Sequence, residues 1–264
     1  MNVSSYESLL VERDDRGVVT ITLDNPRRKN AIHAVMFREL REVFRSITER
    51  PQDRVVVVTG AGDAFCSGAD LSGSADSVER LHVLHHMRNI GETVLALAQL
   101  QQPVIAKVNG DAIGAGMNLA LGCDLIYASD RARFSEIFAK RGLSIDFGGS
   151  WLLPRLVGIH KAKELALLAD MIDAHEADRL GLVNRVVAHD DLDAFVDDIA
   201  ARLAAGPPIA LGLTKRLLNE AKDVTLAEAV EHEAMAQAVN GGTSDMQNAI
   251  LAFREKRTPT FEGR

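Results

Sequence analysis

Two segments of this chain repeat one design, and the repeat constrains the fold more than any other feature. In each, an apolar run ends in a turn containing glycine and leads towards a helix. The first run is Val55-Val56-Val57-Val58, closed by Thr59-Gly60-Ala61-Gly62 and followed by Asp63-Ala64-Phe65-Cys66-Ser67-Gly68-Ala69-Asp70. The second is Val104-Ile105-Ala106-Lys107-Val108, led by Pro103 and followed by Asn109-Gly110-Asp111-Ala112-Ile113-Gly114-Ala115-Gly116-Met117-Asn118. Apolar runs of this length without alternation read as strands buried on both faces.

The rest of the first half agrees. Val18-Val19-Thr20-Ile21-Thr22-Leu23 reads as a strand ending at Asp24-Asn25-Pro26, and Leu125-Ile126-Tyr127-Ala128 as another. Met36, Leu40, Val43, Phe44 and Ile47 recur at helical spacing, so a helix is expected over about 33–49, and a second over 77–99. Strands alternating with helices predict an α/β domain with parallel pairing. Beyond about residue 150 the pattern is helical. Asp173-Ala174-His175-Glu176 has the form of a capping box for a helix over 174–180. Pro207-Pro208 opens a further helix, and Thr243-Ser244-Asp245 caps a last one.

With 37 acidic against 30 basic residues the net charge is -7, which argues against nucleic acid or an anionic membrane as partner. Two cysteines, Cys66 and Cys123, are too few for a disulfide framework and fit a reducing compartment. The start Met1-Asn2-Val3-Ser4-Ser5-Tyr6-Glu7 shows no cationic-then-apolar signal, and no apolar run is long enough to span a bilayer. A cytoplasmic protein is the expectation.

Glycine turns between strand and helix leave backbone N–H groups unpaired and let a ligand approach the main chain. Two such groups aimed at one carbonyl oxygen make an oxyanion hole. An ordinary strand-to-helix connection is the alternative for each turn. Asp146 lies between Ile145 and Phe147, ahead of Gly148-Gly149, where apolar neighbours would raise its pKa and suit it to proton transfer. The alternative is a turn aspartate capping a helix from about Gly148. His82, His85 and His86 share a helical side, but no carboxylate or cysteine completes a metal set, and a solvated surface is the favoured reading. Gly60-Ala61-Gly62-Asp63-Ala64-Phe65 is a weak dinucleotide fingerprint, Cys66 is a packed small residue, and Arg27-Arg28-Lys29 is a modest basic cluster.

Taken together, Asn25-Pro26 with Asn30-Ala31, the stretch 64–70, and Val108-Asn109-Gly110 through Cys123-Asp124 resemble the crotonase (enoyl-CoA hydratase/isomerase) superfamily. Gly148-Gly149-Ser150-Trp151-Leu152-Leu153-Pro154-Arg155-Leu156-Val157-Gly158, the stretch 177–187 and Phe253-Arg254-Glu255-Lys256-Arg257 extend that resemblance over nearly the whole chain. It implies a spiral of ββα units over 1–200, a helical C-terminal trimerisation region over 201–264, and a homotrimer or hexamer. It also implies an acyl-CoA thioester substrate, with no metal and no cofactor beyond the coenzyme A that the substrate carries. Ser67 and Ala115 would supply the oxyanion-hole N–H groups, with Arg28, Ala64, Cys66, Gly68, Asp70 and Phe138 around the thioester. The stretch 72–88 and the C-terminal helices would line the acyl pocket.

Hydratases of the family hold a water between two glutamates. Asn118 and Phe138 occupy those positions here, and neither is a base near neutral pH. Glu136 is two residues from Phe138, an offset that on a helix points to another face. Asp146 resembles the proton-shuttling acid of enoyl-CoA isomerases and of the 2-(1,2-epoxy-1,2-dihydrophenyl)acetyl-CoA isomerase branch. A double-bond shift needs a single acid, with Asn118 hydrogen-bonding substrate or orienting Asp146. The expectation is therefore an enoyl-CoA isomerase. Hydration through Asp146 or Glu136, or thioester binding without catalysis, are the alternatives.

Overall fold

The run at Val55 forms the middle strand of a seven-stranded sheet. In the computed structural model, which describes residues 2–71 and 82–264, β1 (Asn2–Ser5), β2 (Leu9–Arg13) and β3 (Val18–Leu23) make an antiparallel meander. Helix α1 (Ala34–Thr48) then carries the chain to β4 (Val55–Gly60), parallel to β3. The next steps repeat. β5 (Ala64–Cys66) leaves the main sheet for a smaller one, and α2 (Val83–Ala98) returns the chain to β6 (Val104–Val108). β7 (Asp111–Ile113) and α3 (Ala115–Leu121) lead to β8 (Leu125–Ser129). After β9 (Arg133–Ser135) come α4 (Gly149–Val157), α5 (Ile159–Leu168), β10 (Ile172–Asp173), α6 (Ala174–Arg179) and β11 (Arg185–Val187). The main sheet runs β1-β2-β3-β4-β6-β8-β11, and the second β10-β9-β7-β5. Each turn of chain thus places a long strand in one sheet and a short strand in the other, the spiral of ββα units expected.

Both faces of the main sheet are covered, which is why its strands are apolar without a break. Val19, Ile21, Val56, Val58 and Ala106 face a core shared with α1 and α2, where Met36, Leu40, Val43, Phe44 and Ile47 are buried. Val18, Val55, Val57, Ile105 and Tyr127 face the other way, against α7 (Leu192–Ala204). α7 presents Leu192, Val196, Ala200 and Ala204 at intervals of four. It therefore packs on the sheet as one helix that runs across residue 200. The remaining helices are α8 (Pro208–Glu220), α9 (Leu226–Gly241) and α10 (Ser244–Glu255), of which α8 buries no residue and α9 only Ala236.

Local signals held with specific exceptions. His33 caps α1, Pro207 precedes α8, and Thr243 accepts from Met246 N at 3.2 Å to cap α10. Asp173 accepts from Glu176 N at 2.8 Å, but Glu176 turns to Arg179 instead of closing the box. The reciprocal box forms at Thr225 and Glu228. The helix expected over 77–99 is found over Val83–Ala98, its residues 77–81 lying outside the described chain. Among the described residues no helix is long and apolar enough to cross a membrane.

Candidate active site

The two glycine turns lie side by side. Gly68 and Gly114 have φ of +99° and +54°, backbone that side chains rarely permit. A Cβ on Gly68 would stand 3.0 Å from the Ile113 carbonyl oxygen and 4.0 Å from Ala115 N. Asn30, itself at φ +57°, braces the first turn by donating to the Ala61 and Ala64 carbonyls, each at 2.8 Å. Asn109 donates to Gly60 O and Gly62 O, tying the second turn to the first. The asparagines of the resemblance motifs are thus structural clamps.

Which backbone donors stay open differs from the expectation at one residue. Ser67 N–H donates to Lys29 O at 3.0 Å, and its hydroxyl to Arg28 O at 2.9 Å, so Ser67 has no amide to offer a ligand. Around the next residue, Ile32 N donates to Gly68 O and Asp70 N to Ile32 O, a parallel bridge centred on Ala69. Such a bridge turns the N–H of its central residue to the opposite side. Ala69 is exposed, and among the described residues its N–H donates to no carbonyl. The second donor is as expected. Ala115 opens α3, where first-turn N–H groups lack intrahelical partners, while Gly114 N is used by Ser135 O at 2.8 Å. Ala69 and Ala115, rather than Ser67 and Ala115, are the open pair.

Several residues expected around the thioester also hold the framework. The Ala64 carbonyl accepts from Asn30 and Asn109 and is buried. Cys66 is buried against Gly116, and burial pushes its thiol up to about 12. The Arg28 side chain is exposed, Gly68 supplies the turn, and Asp70 anchors it through Ile32. Phe138 is 6 % exposed, its ring 3.6 Å from where a Gly114 Cβ would be, forming an apolar wall at the start of α3. Gly60–Phe65 runs into β5 instead of a helix, which removes the dinucleotide reading. His82 caps α2, and no group of three metal-binding side chains occurs among the described residues.

The polar centre lies one turn into α3. Asn118, 1 % exposed, donates through Nδ2 to the Asp146 carbonyl oxygen at 2.9 Å and to Glu136 Oε2 at 3.2 Å. Because a carbonyl can only accept, the first bond fixes which end of the carboxamide faces Asp146. Asp146 O also accepts from Gly149 N at 3.0 Å. The Asp146 carboxyl does not cap α4, whose N-cap is Gly148 with no side-chain bond, so the turn-cap alternative falls. It is half-buried, Oδ1 has no partner, and burial raises its pKa to about 6. Phe147 beside it takes φ +50° and is buried 5.9 Å, ring to ring, from Phe37.

Glu136 overturns the helical-offset argument. It follows β9 and precedes a 3-10 turn at Ile137–Arg141, so it is on no helix. Its carboxyl is 1 % exposed, bonded to Asn118, with Oε1 unpartnered. Burial pushes it up to about 8, the Asn118 bond opposing and the Asp146 charge adding. Strand-period reading of Phe134-Ser135-Glu136 would have placed Glu136 inward with Phe134. A cavity of about 320 Å³ between α1 and α2 is lined in part by Phe37, Arg41 and His86; of the expected acyl-pocket stretch, residues 72–81 lie outside the described chain.

Residues 13–264 match the family model for enoyl-CoA hydratase/isomerase. The chain is 37 % identical to the 1,2-epoxyphenylacetyl-CoA isomerase of Escherichia coli over 261 residues, covering 95 % of this chain and 97 % of that one. It is 33 % identical to the crotonyl-CoA hydratase of Syntrophomonas wolfei, covering 97 % and 98 %. The enoyl-CoA hydratase structure from Bacillus anthracis superposes with a TM-score of 0.93 at 34 % identity, covering 98 % of this chain and all of that one. With the spiral, the paired turns and these similarities together, the chain belongs to the enoyl-CoA hydratase/isomerase family and has the crotonase fold.

Proposed function

We propose that this protein shifts a double bond in an enoyl-CoA thioester, with Asp146 carrying the proton. The observation behind the reading is the setting of Asp146. Its carboxyl is half-buried and raised towards neutrality, has no ion pair among the described residues, and its main chain is held by Asn118, which does not titrate. A base is most useful when its pKa is near the working pH.

In this mechanism the Asp146 carboxylate removes a proton from the carbon α or γ to the thioester. The electron pair moves to the thioester oxygen, giving a dienolate. The N–H groups of Ala69 and Ala115 donate to that oxygen, each of roughly 2.7–4 kcal/mol by analogy with acyl-transfer enzymes. Asp146 then returns the same proton to the other carbon. Nothing else is consumed, and coenzyme A enters as part of the substrate. Phe138 helps exclude water, which would otherwise add to the double bond.

Glu136 favours a second reading, hydration, because it restores a second carboxyl near Asp146. Its burial behind Asn118 argues against contact with a water on the substrate. The test is incubation with a 3-enoyl-CoA and a 2-enoyl-CoA of the same chain. Isomerisation predicts growth of conjugated-thioester absorbance from the 3-enoyl compound with no hydroxyacyl product. A 3-hydroxyacyl-CoA formed as the main product would reverse the assignment.

The same reading includes a homotrimer or hexamer. Leu218, Leu226, Val230, Met235, Val239 and Phe253 on α8–α10 are exposed, Phe253 by 86 %, more apolar surface than an isolated chain favours.

A further inference from the structure

Two carboxyls share this site, and among the described residues no cation pairs with either. Glu136 and Asp146 take part in no ion pair among the described residues, and the carboxamide of Asn118 joins one side chain to the other's main chain. Charged groups on the surrounding elements are occupied or at the surface. Lys140 pairs with Asp170, Arg133 with Asp111 and Lys161 with Glu164, while Arg141, His160 and Lys163 are exposed. Among the described residues Asp146 is the charge that acts on Glu136, and it acts against ionisation. Buried oxygens of all three residues, Asn118 Oδ1, Glu136 Oε1 and Asp146 Oδ1, lack donors.

We infer that Glu136 is a second acid of the site, one that keeps its proton while Asp146 carries the charge. The pair then holds one negative charge between them, and Glu136 serves as a positioning residue acting through Asn118.

The physical argument is a comparison of costs. Two adjacent carboxylates in a desolvated site repel, so one retains a proton, and the more buried one loses least by staying neutral. Glu136 is enclosed, whereas Asp146 is half open to solvent. A neutral Glu136 still accepts from Asn118 through its carbonyl oxygen, so the carboxamide stays aimed at the Asp146 main chain. It also supplies an O–H donor that the site otherwise lacks. Ionising Glu136 would put a second negative charge where the reaction builds another on the thioester oxygen, and the barrier would rise. Activity should therefore fall on the alkaline side as Glu136 loses its proton.

This consequence rests on Asp146 being the proton carrier, but the protonation state does not, and the two are measured separately. Infrared difference spectra of the full-length protein without substrate, at pH 7, should show a protonated carboxyl that Glu136→Gln removes and Asp146→Asn retains. In wild type that band should disappear with a midpoint near 8. Asp146→Asn should move the midpoint down, because the neighbouring charge is gone. In turnover, Glu136→Gln should lose the alkaline limb of the pH profile, and Glu136→Ala, lacking the acceptor, should lower kcat more than it raises KM. A wild-type spectrum with no protonated carboxyl at pH 7, or a Glu136→Gln spectrum identical to it, overturns the inference. Should Glu136→Gln fail to fold, the wild-type titration and its shift in Asp146→Asn decide the matter. Loss of the band assignment leaves the isomerase reading intact, while an inactive role for Asp146 would leave the band in place.

Discussion

Asn118 Nδ2 donates to the main-chain oxygen of Asp146 at 2.9 Å, joining the helix that opens beside the donor turns to the loop that carries the acid. The bond orients Asp146 without touching its carboxyl, so the acid is held in place yet free to gain and lose a proton. A Cβ on Gly149 would stand 2.3 Å from Asn118 Nδ2 and 2.5 Å from Oδ1. Gly149→Ala should therefore displace the carboxamide and lower kcat by about 10–100-fold, the scale of a roughly 1 Å misplacement. Steady-state kinetics beside a thioester-binding titration check this, with affinity changing less than rate.

Gly114→Ala tests the donor turn. Its φ of +54° is costly for alanine, and the new Cβ would press on Ile137 Cγ2 at 3.3 Å and Phe138 at 3.6 Å. A stability loss of about 1–3 kcal/mol is expected. Since Ala115 N–H would move with the turn, kcat should fall by about 10²-fold. Denaturant unfolding and turnover measured together check both.

The two raised carboxyls set the sign of a pH effect on stability. Between the pKa of an unfolded carboxyl and the folded values of about 6 for Asp146 and 8 for Glu136, the folded state binds more protons. Stability therefore falls as pH rises through that window and levels off above it. Glu136→Gln escapes this loss, gaining about 4 kcal/mol over wild type between pH 5 and 9, or roughly 8–16 °C in Tm. Asp146→Asn should gain less, because solvent screens a half-exposed carboxylate. Melting curves at the two pH values measure the difference.

Both cysteines should be silent in the native protein. Cys66 and Cys123 are free and buried, and burial pushes both thiols far above neutrality. A thiol reagent at pH 8 should label neither until denaturant is added, when both react.

Much of this was legible in the residues. The unbroken apolar runs at Val55 and Val104 mark strands covered on both faces, and the heptad-like spacing from Met36 to Ile47 marks α1. The three-residue strands β5, β7 and β9 were not readable, because they are too short to show a period and are made by pairing with each other. The half-buried setting of Asp146 is legible in its apolar neighbours and the glycines after it. The partner of the Ser67 amide, Lys29 O, depends on a chain crossing that sequence spacing does not contain. Glu136 is not legible from a helical period because the chain ends a strand there. Its proximity to Asn118 joins residues 18 apart through tertiary packing alone.

The most direct test of the account is proton transfer by Asp146→Asn. In D2O, with a 3-enoyl-CoA substrate, rates of isomerisation and of deuterium entry at the α and γ carbons should both fall by at least about 10³-fold, while the variant still binds the thioester. An Asp146→Asn protein that binds the thioester and isomerises at the wild-type rate would contradict the account.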